Sequence, residues 1–225
     1  MRLLTCAMLV LAGACAGDAR APRDTTTARV DAKAADTTQA IPGPSAKPMR
    51  SPDVFRVPVE TSKGPLTIEV KRSLAPRGAD RFYELVTIGY FTDVRFFRMK
   101  PGFIAQFGIN GDPRVYALWE KATIPDEPMR TGNTRGTVAF ATNGPDARTV
   151  QLFINTGDNR QMLDGQRVFP PIGSVVDGMD VVDKLNSEYG EEPNNSRIAA
   201  KGNEYLLKWF PALDYIKSAK VVPLP

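Results

Sequence analysis

The fold class predicted by this 225-residue sequence is mainly β, a closed or nearly closed antiparallel barrel capped by helices. Two observations predict it. Residues 54–222 hold many short runs rich in Val, Ile, Phe and Thr, set apart by Gly, Pro, Asn and Asp turn signals. Only a few stretches, at 76–89, 113–119 and 177–185, carry apolar residues at helical spacing. The length fits one or two domains.

Residues 1–15 read as a signal peptide. Arg2 precedes an apolar run over 3–11 and small residues up to Cys15, too short for a transmembrane helix. Ala12-Gly13-Ala14-Cys15 resembles a bacterial lipobox, in which the cysteine is lipidated, although Ala12 stands where Leu is preferred. Ordinary signal-peptidase cleavage, after Ala14 or Ala16, is the alternative and would leave a soluble exported protein. The other cysteine, Cys6, lies inside the signal, so the exported domain has no disulfide and must hold together by its core. Residues 16–52 are rich in Ala, Thr, Asp, Lys and Pro without a hydrophobic period, and read as a disordered tether.

The folded domain is expected over residues 53–225. Residues 54–60 and 65–71 are two strands around the hairpin turn Ser62-Lys63-Gly64. Pro76 opens a helix with Phe82, Leu85 and Val86 on its core face, and Gly89 ends it. Asp112 caps a short helix that begins at Pro113 and turns Val115, Leu118 and Trp119 toward the body, with Trp119 as packing rather than a stacking platform. Residues 137–142 and 150–155 are strands. Residues 168–176, interrupted by Pro170-Pro171, form an edge or bulged strand. Residues 177–185 are a helix burying Val181, Val182 and Leu185, and 188–201 are a polar surface loop. Leu206, Leu207, Trp209, Phe210 and Leu213 suggest a short helix or a turn back onto the body, and 215–222 close the sheet.

The chain is organised around residues 95–108, RFFRMKPGFIAQFG. A strand over 94–99 places Phe96 and Arg98 on one face, Lys100-Pro101-Gly102 is a tight turn, and a second strand sets Phe103, Ala105 and Phe107 opposite Ile104 and Gln106. Arg98 cannot shed its charge, so among these rings it needs partners. It is either tied to carbonyls at a sheet rim or aimed into an aromatic pocket.

A second stretch, residues 136–157, reads GTVAFATNGPDARTVQLFINTG. Together the two resemble the cyclophilins, the peptidyl-prolyl cis–trans isomerases. Phe96-Phe97-Arg98, Pro101-Gly102-Phe103 and Gln106-Phe107-Gly108 stand for the family's first signature; Phe140-Ala141-Thr142-Asn143-Gly144-Pro145 and Gln151-Leu152-Phe153-Ile154 stand for its second. Met162-Leu163-Asp164-Gly165 matches its Trp-Leu-Asp-Gly, and the resemblance covers roughly residues 54–222. It implies a closed eight-stranded antiparallel β-barrel with a helix at each end. It implies Arg98 and Gln106 as catalytic residues and an apolar slot of Phe103, Ile104, Phe153 and Leu163. It implies a groove of Ala141, Thr142, Asn143 and Gln151 for the substrate chain. Several positions depart from the pattern: Phe97 replaces a His beside the arginine, Thr142-Asn143 replaces Asn-Ala with the backbone role intact, Met162 replaces the Trp tied to cyclosporin binding, and after Gly165 either Arg167 or Phe169 takes the place of a pocket His, with Phe169 favoured for its apolar ring. Phe97, Met162 and Phe169 are thereby expected at the substrate.

What is absent narrows the function. The chain has no histidine, which removes a Ser-His-Asp hydrolase and most zinc sites. No cysteine lies in the folded part, no phosphate-binding glycine loop occurs, and no metal or cofactor is expected. A formal charge of +4 and a pI near 9.1 are mild and unclustered, so nucleic acid is not an expected partner. The expected partners are proline-containing polypeptides and, through lipid on Cys15, a membrane; the expected state is a monomer in the cell envelope or periplasm. Three classes follow: an active prolyl isomerase, favoured because Arg98, Gln106 and Phe103 occur together; a proline-binding chaperone without turnover; and an envelope interaction module using the barrel as a scaffold.

Overall fold

The structure is a computed structural model that describes residues 40–165 and 169–224. The expected signal peptide with Cys15, the expected tether as far as residue 39, and Arg167 lie outside the described residues.

Strands β1 (Val54–Thr61) and β2 (Gly64–Lys71) form the predicted hairpin, in register from Val54 opposite Lys71 to Thr61 opposite Gly64. Their period of two buries Phe55, Val57 and Val59 and leaves the alternate residues of β1 in solvent. Helix α1 (Pro76–Thr87) lays Phe82, Leu85 and Val86 on the core, and the chain leaves it through Gly89 at φ +74°. Its N-cap, Ala75, has no capping side chain. The Glu127 carboxylate does that work from afar, accepting the N–H groups of Arg77 (2.5 Å) and Gly78 (3.0 Å). Glu127 also pairs with Arg148 at 3.1 Å, and the Arg148 side chain is wholly buried.

The remaining elements are β3 (Arg98–Lys100), β4 (Ile104–Phe107), α2 (Pro113–Trp119), β5 (Thr137–Phe140), β6 (Leu152–Asn155), α3 (Arg160–Leu163), β7 (Pro171–Asp177), α4 (Met179–Asp183), α5 (Asn195–Trp209), β8 (Ile216–Ala219) and β9 (Val222–Pro223). All strand pairs are antiparallel, in the order β3-β4-β6-β5-β7-β2-β1-β8, with β9 sharing the β8 edge of β1. The sheet curls around one core in which Phe82, Phe91, Phe96 and Phe107 pack ring against ring.

The expected closed barrel is corrected to a curled half-barrel. Its end strands β3 and β8 share no ladder; the chain ahead of them meets in one bridge, Arg95 opposite Tyr215. Two backbone bonds flank it, Phe96 N–H to Asp214 C=O and Ile216 N–H to Val94 C=O, both 2.9 Å. The seam is short for two reasons. Asp93 turns the chain at φ +58°, and the adjacent rings of Phe96 and Phe97 both enter the main core, whereas an alternating strand sends neighbours to opposite faces.

Other expectations change as well. β7 is an interior strand between β5 and β2, not an edge. Pro171 opens it, and the register shifts against both neighbours, so the bulged alternative is the one realised. The polar loop at 188–201 gives way to α5, capped by Asn194, which accepts the Arg197 N–H at 3.1 Å. Gly202, at φ +55°, kinks α5 where the Gly111 carbonyl approaches too closely for any Cβ. In α2 the buried face is Tyr116 and Trp119, while Leu118 is exposed. Residues 40–52 lie along the body rather than acting as free tether: Trp119 Nε1 donates to the Pro42 carbonyl at 3.0 Å, and Ser51 donates twice to Asp80 at 2.9 Å.

Candidate active site

Three adjacent strands build the site on the outer face of the sheet. In β4, Ala105 and Phe107 enter the main core while Ile104 and Gln106 point out; in β6, Leu152 and Ile154 go in and Phe153 out; in β5, Val138 and Phe140 go in and Ala139 out. Register sets Gln106 and Ala139 each opposite Phe153. The outward apolar groups make a second small cluster, Ile104, Ala139 and Phe153, with Phe103, Leu163 and Phe169 packed on it. Phe153 and Phe169 meet edge to face at 5.7 Å.

Phe103 reaches this cluster through the turn at 100–103. Pro101 and Gly102 occupy its centre, Gly102 takes φ +76°, and the Phe103 N–H closes it on the Lys100 carbonyl at 3.0 Å. Phe103 therefore leaves the strand face shared by Ala105 and Phe107. Three fully buried asparagines lock the far wall. Asn133 donates to the Phe169 carbonyl (3.1 Å), Asn155 to Asn133 (3.1 Å), and Asn159 to the Phe103 carbonyl (2.6 Å).

Arg98 borders the slot, with its guanidinium 5.6 Å from the centre of the Phe103 ring. Nη1 donates to Gln106 Oε1 at 3.2 Å, Gln106 Nε2 to Gln151 Oε1 at 3.0 Å, and Gln151 Nε2 to the Tyr116 hydroxyl at 3.2 Å. On its other side, Nε donates to Glu191 Oε1 at 2.6 Å, and Nη2 reaches the same oxygen. That partner holds the Glu191 carboxyl below its ordinary range, first through the hydrogen bond from Arg98 and then through its charge, with Lys100 adding a smaller part. Burial pushes the Tyr116 phenol up.

A cleft of about 440 Å³ opens beside Gln106, with Ala141, Thr142, Asn143, Gln151 and Tyr116 among its walls. The Ala141 N–H pairs with the Gln151 carbonyl at 2.9 Å, and the Thr142 hydroxyl turns back onto the Gly144 carbonyl at 2.6 Å.

Residues 56–202 match the family described as "Cyclophilin type peptidyl-prolyl cis-trans isomerase/CLD". The chain belongs to that family. By class it is an isomerase. A peptidyl-prolyl cis-trans isomerase of Acinetobacter baylyi is 36% identical over 150 residues, covering 61% of this chain and 77% of the relative. Peptidyl-prolyl cis-trans isomerase A of Dickeya dadantii is 35% identical over 136 residues, covering 56% and 68%. The fold is like that of a cyclophilin-type isomerase solved from Cryptosporidium parvum, with a TM-score of 0.58 and 21% identity over 76% of this chain and 99% of the other.

Of the residues the cyclophilin resemblance singled out, the structure brings Arg98 and Gln106 into contact. It gathers Phe103, Ile104, Phe153, Leu163 and Phe169 into one cluster and sets Ala141, Thr142, Asn143 and Gln151 along one cleft. One is corrected: Phe97 is buried in the main core, because it precedes β3 and faces inward. Met162 stands 62% exposed on α3, next to Leu163, which packs on the apolar cluster. Tyr116 and Glu191 escape a reading of the sequence. Tyr116 had a faint signal, since it stands three residues before Trp119 on one helical face, whereas Glu191 sits in a polar stretch and meets Arg98 only through the fold.

Proposed function

We propose that this chain isomerises Xaa–Pro bonds of exported proteins, with Arg98 stabilising the twisted prolyl amide. The observation that carries the reading is a fixed guanidinium beside a separate apolar slot: Arg98 held by Gln106 and lying over Phe103, next to Ile104, Phe153, Leu163 and Phe169.

The Xaa–Pro bond turns over a barrier of about 18–20 kcal/mol set by amide resonance. No bond breaks, and no proton need be exchanged. Twisting localises a lone pair on the prolyl nitrogen, which then accepts a hydrogen bond that the planar amide cannot. A donor fixed where that lone pair develops favours the transition state over the ground state. The proline ring fills the slot between Phe103, Phe153 and Phe169, where water is excluded and the hydrogen bond is stronger. Gln106 orients Arg98, and the peptide ahead of proline runs along the cleft past Ala141, Thr142, Asn143 and Gln151.

The setting is the cell envelope. Its support is in the sequence: a signal-like start, and Cys15 placed for lipid ahead of a polar segment that joins it to the domain.

The test is Arg98→Ala, with the isomerisation rate followed by exchange NMR on a short Xaa-Pro peptide beside peptide affinity and thermal melting. Turnover is expected to fall by roughly two to three orders of magnitude, with affinity changed far less. Arg98→Lys is expected to recover little, since an ammonium lacks the planar fork. Unchanged turnover in Arg98→Ala refutes the mechanism. Binding without turnover in the natural sequence makes the chain a proline-binding chaperone instead.

A further inference from the structure

The geometry points to Glu191 as a positioning residue that holds the Arg98 guanidinium at the slot. This rests on the catalytic reading of Arg98 above.

Glu191 is delivered by a built loop. The Met99 N–H, on the strand that carries Arg98, donates to the Gly190 carbonyl at 3.1 Å, so the loop is registered against β3. Inside the loop, Gly190 takes φ +49° and donates to the Ser187 carbonyl at 3.1 Å, while Glu192 donates to the Tyr189 carbonyl at 2.9 Å. The Tyr189 ring packs edge-on against Phe210 at 5.2 Å and ties the loop to the body.

Alternation along β3 puts Arg98 and Lys100 on one face, both over the Phe103 ring at 5.6 and 5.8 Å. Glu191 bridges them. Its Oε1 takes Nε and Nη2 of Arg98, and its Oε2 lies 3.7 Å from Lys100 Nζ. With Gln106 on Nη1, three of the five guanidinium donors are engaged, and the plane is fixed from both sides. Donors remain on Nη1 and Nη2 for a prolyl nitrogen.

Arginine otherwise has large rotamer freedom, and this side chain is 32% exposed. Glu191 is 47% exposed, so water screens its charge while its geometry still directs the fork. It thus aligns the cation more than it cancels it. A side chain that acts this way changes the rate of the chemical step and leaves grip on the proline ring to the slot.

The test uses the full chain and a short Xaa-Pro peptide, with turnover and Kd from exchange NMR. Glu191→Ala is expected to lower turnover roughly tenfold, well short of the Arg98→Ala loss, with Kd within about twofold. Glu191→Gln, whose amide oxygen still accepts from Nε, should recover at least half of that loss. In Arg98→Ala, adding Glu191→Ala should cost nothing more. In the natural chain the Arg98 Nε–H should exchange slowly with water, and in Glu191→Ala it should exchange fast. Unchanged or raised turnover in Glu191→Ala, with Arg98→Ala inactive, overturns the positioning role alone; a raised rate would make Glu191 a mask. A Glu191→Ala loss that persists undiminished in Arg98→Ala overturns it too. Full turnover in Arg98→Ala removes the catalytic reading and this role with it.

Discussion

Removing the Glu127 carboxylate should unfold this domain at a markedly lower temperature, although it lies outside the apolar slot. In Glu127→Ala, α1 loses the acceptor for the Arg77 and Gly78 N–H groups, and its N-cap Ala75 has nothing to offer instead. Losing a cap costs about 1 kcal/mol. Arg148, wholly buried, loses its close buried partner and keeps the Pro125 carbonyl and Asp126 at 3.7 Å. Breaking a buried pair from one side costs about 3–5 kcal/mol, and these surviving partners argue for the lower end. The total is about 4 kcal/mol, which for a domain of this size lowers Tm by roughly 8–16 °C. The assay is a thermal melt and a urea titration of the full chain. Glu127→Gln, which keeps one acceptor but no charge, should fall between. The double variant Glu127→Leu with Arg148→Met should recover much of the loss, since replacing both charges leaves none stranded. A Tm drop below about 2 °C in Glu127→Ala would refute the claim that one distant carboxylate both caps the helix and neutralises the buried guanidinium.

Turnover should be flat from about pH 5.5 to 8, because the chain has no histidine and no proton moves in the proposed step. The Glu191 carboxyl is held below its ordinary range, so its contact with Arg98 is complete above that range and weakens only as pH falls through the lowered value; a bell-shaped profile near neutrality would reveal another titrating group. Cyclosporin should inhibit weakly, since Met162 offers no indole donor and stands exposed, and Met162→Trp should strengthen inhibition; tight inhibition of the natural sequence would contradict this. Cys15→Ser should shift the protein from the membrane fraction to the soluble periplasm, whereas an unchanged distribution with no lipid mass on Cys15 would favour ordinary secretion.

What the sequence made legible followed from periodicity and turn chemistry. The β1–β2 hairpin, α1 with Pro76 and Gly89, and the Asp112 cap of α2 have local causes and appear as read. The slot, by contrast, was legible only through the resemblance carried by Pro101-Gly102-Phe103, Gln106-Phe107-Gly108 and Gln151-Leu152-Phe153-Ile154, since the residue pattern by itself leaves Arg98 either at a sheet rim or in a pocket. Phe97 misled through the resemblance, which sets it beside Arg98 in the chain; alternation turns neighbours to opposite faces, so Phe97 enters the core while Arg98 borders the slot. α5 was hidden by its polar outer side and by Gly202, which breaks the period halfway. The interior place of β7 depends on two bulges that let a proline-led strand pair on both sides. Closure of the barrel depended on residues 93–97, where a left-handed Asp93 leaves no local signature. Glu191 and the buried Asn133, Asn155 and Asn159 work through partners far away along the chain, which no spacing discloses.

The row of side chains from Arg98 to Tyr116 has a polarity. A guanidinium can only donate, so the oxygen of Gln106 must face it. That choice turns the Gln106 amide nitrogen toward Gln151, which must present its own oxygen and aim its nitrogen at Tyr116. Neither amide is free to flip while Arg98 stays in place. The phenol at the end of the row is thereby an acceptor, and among the described residues nothing takes its hydrogen at the wall of the cleft. One cation at the slot thus dictates which way a hydroxyl on helix α2 presents itself, and a substitution at Arg98 would free both amides to reverse and change what the cleft wall offers to the chain ahead of proline.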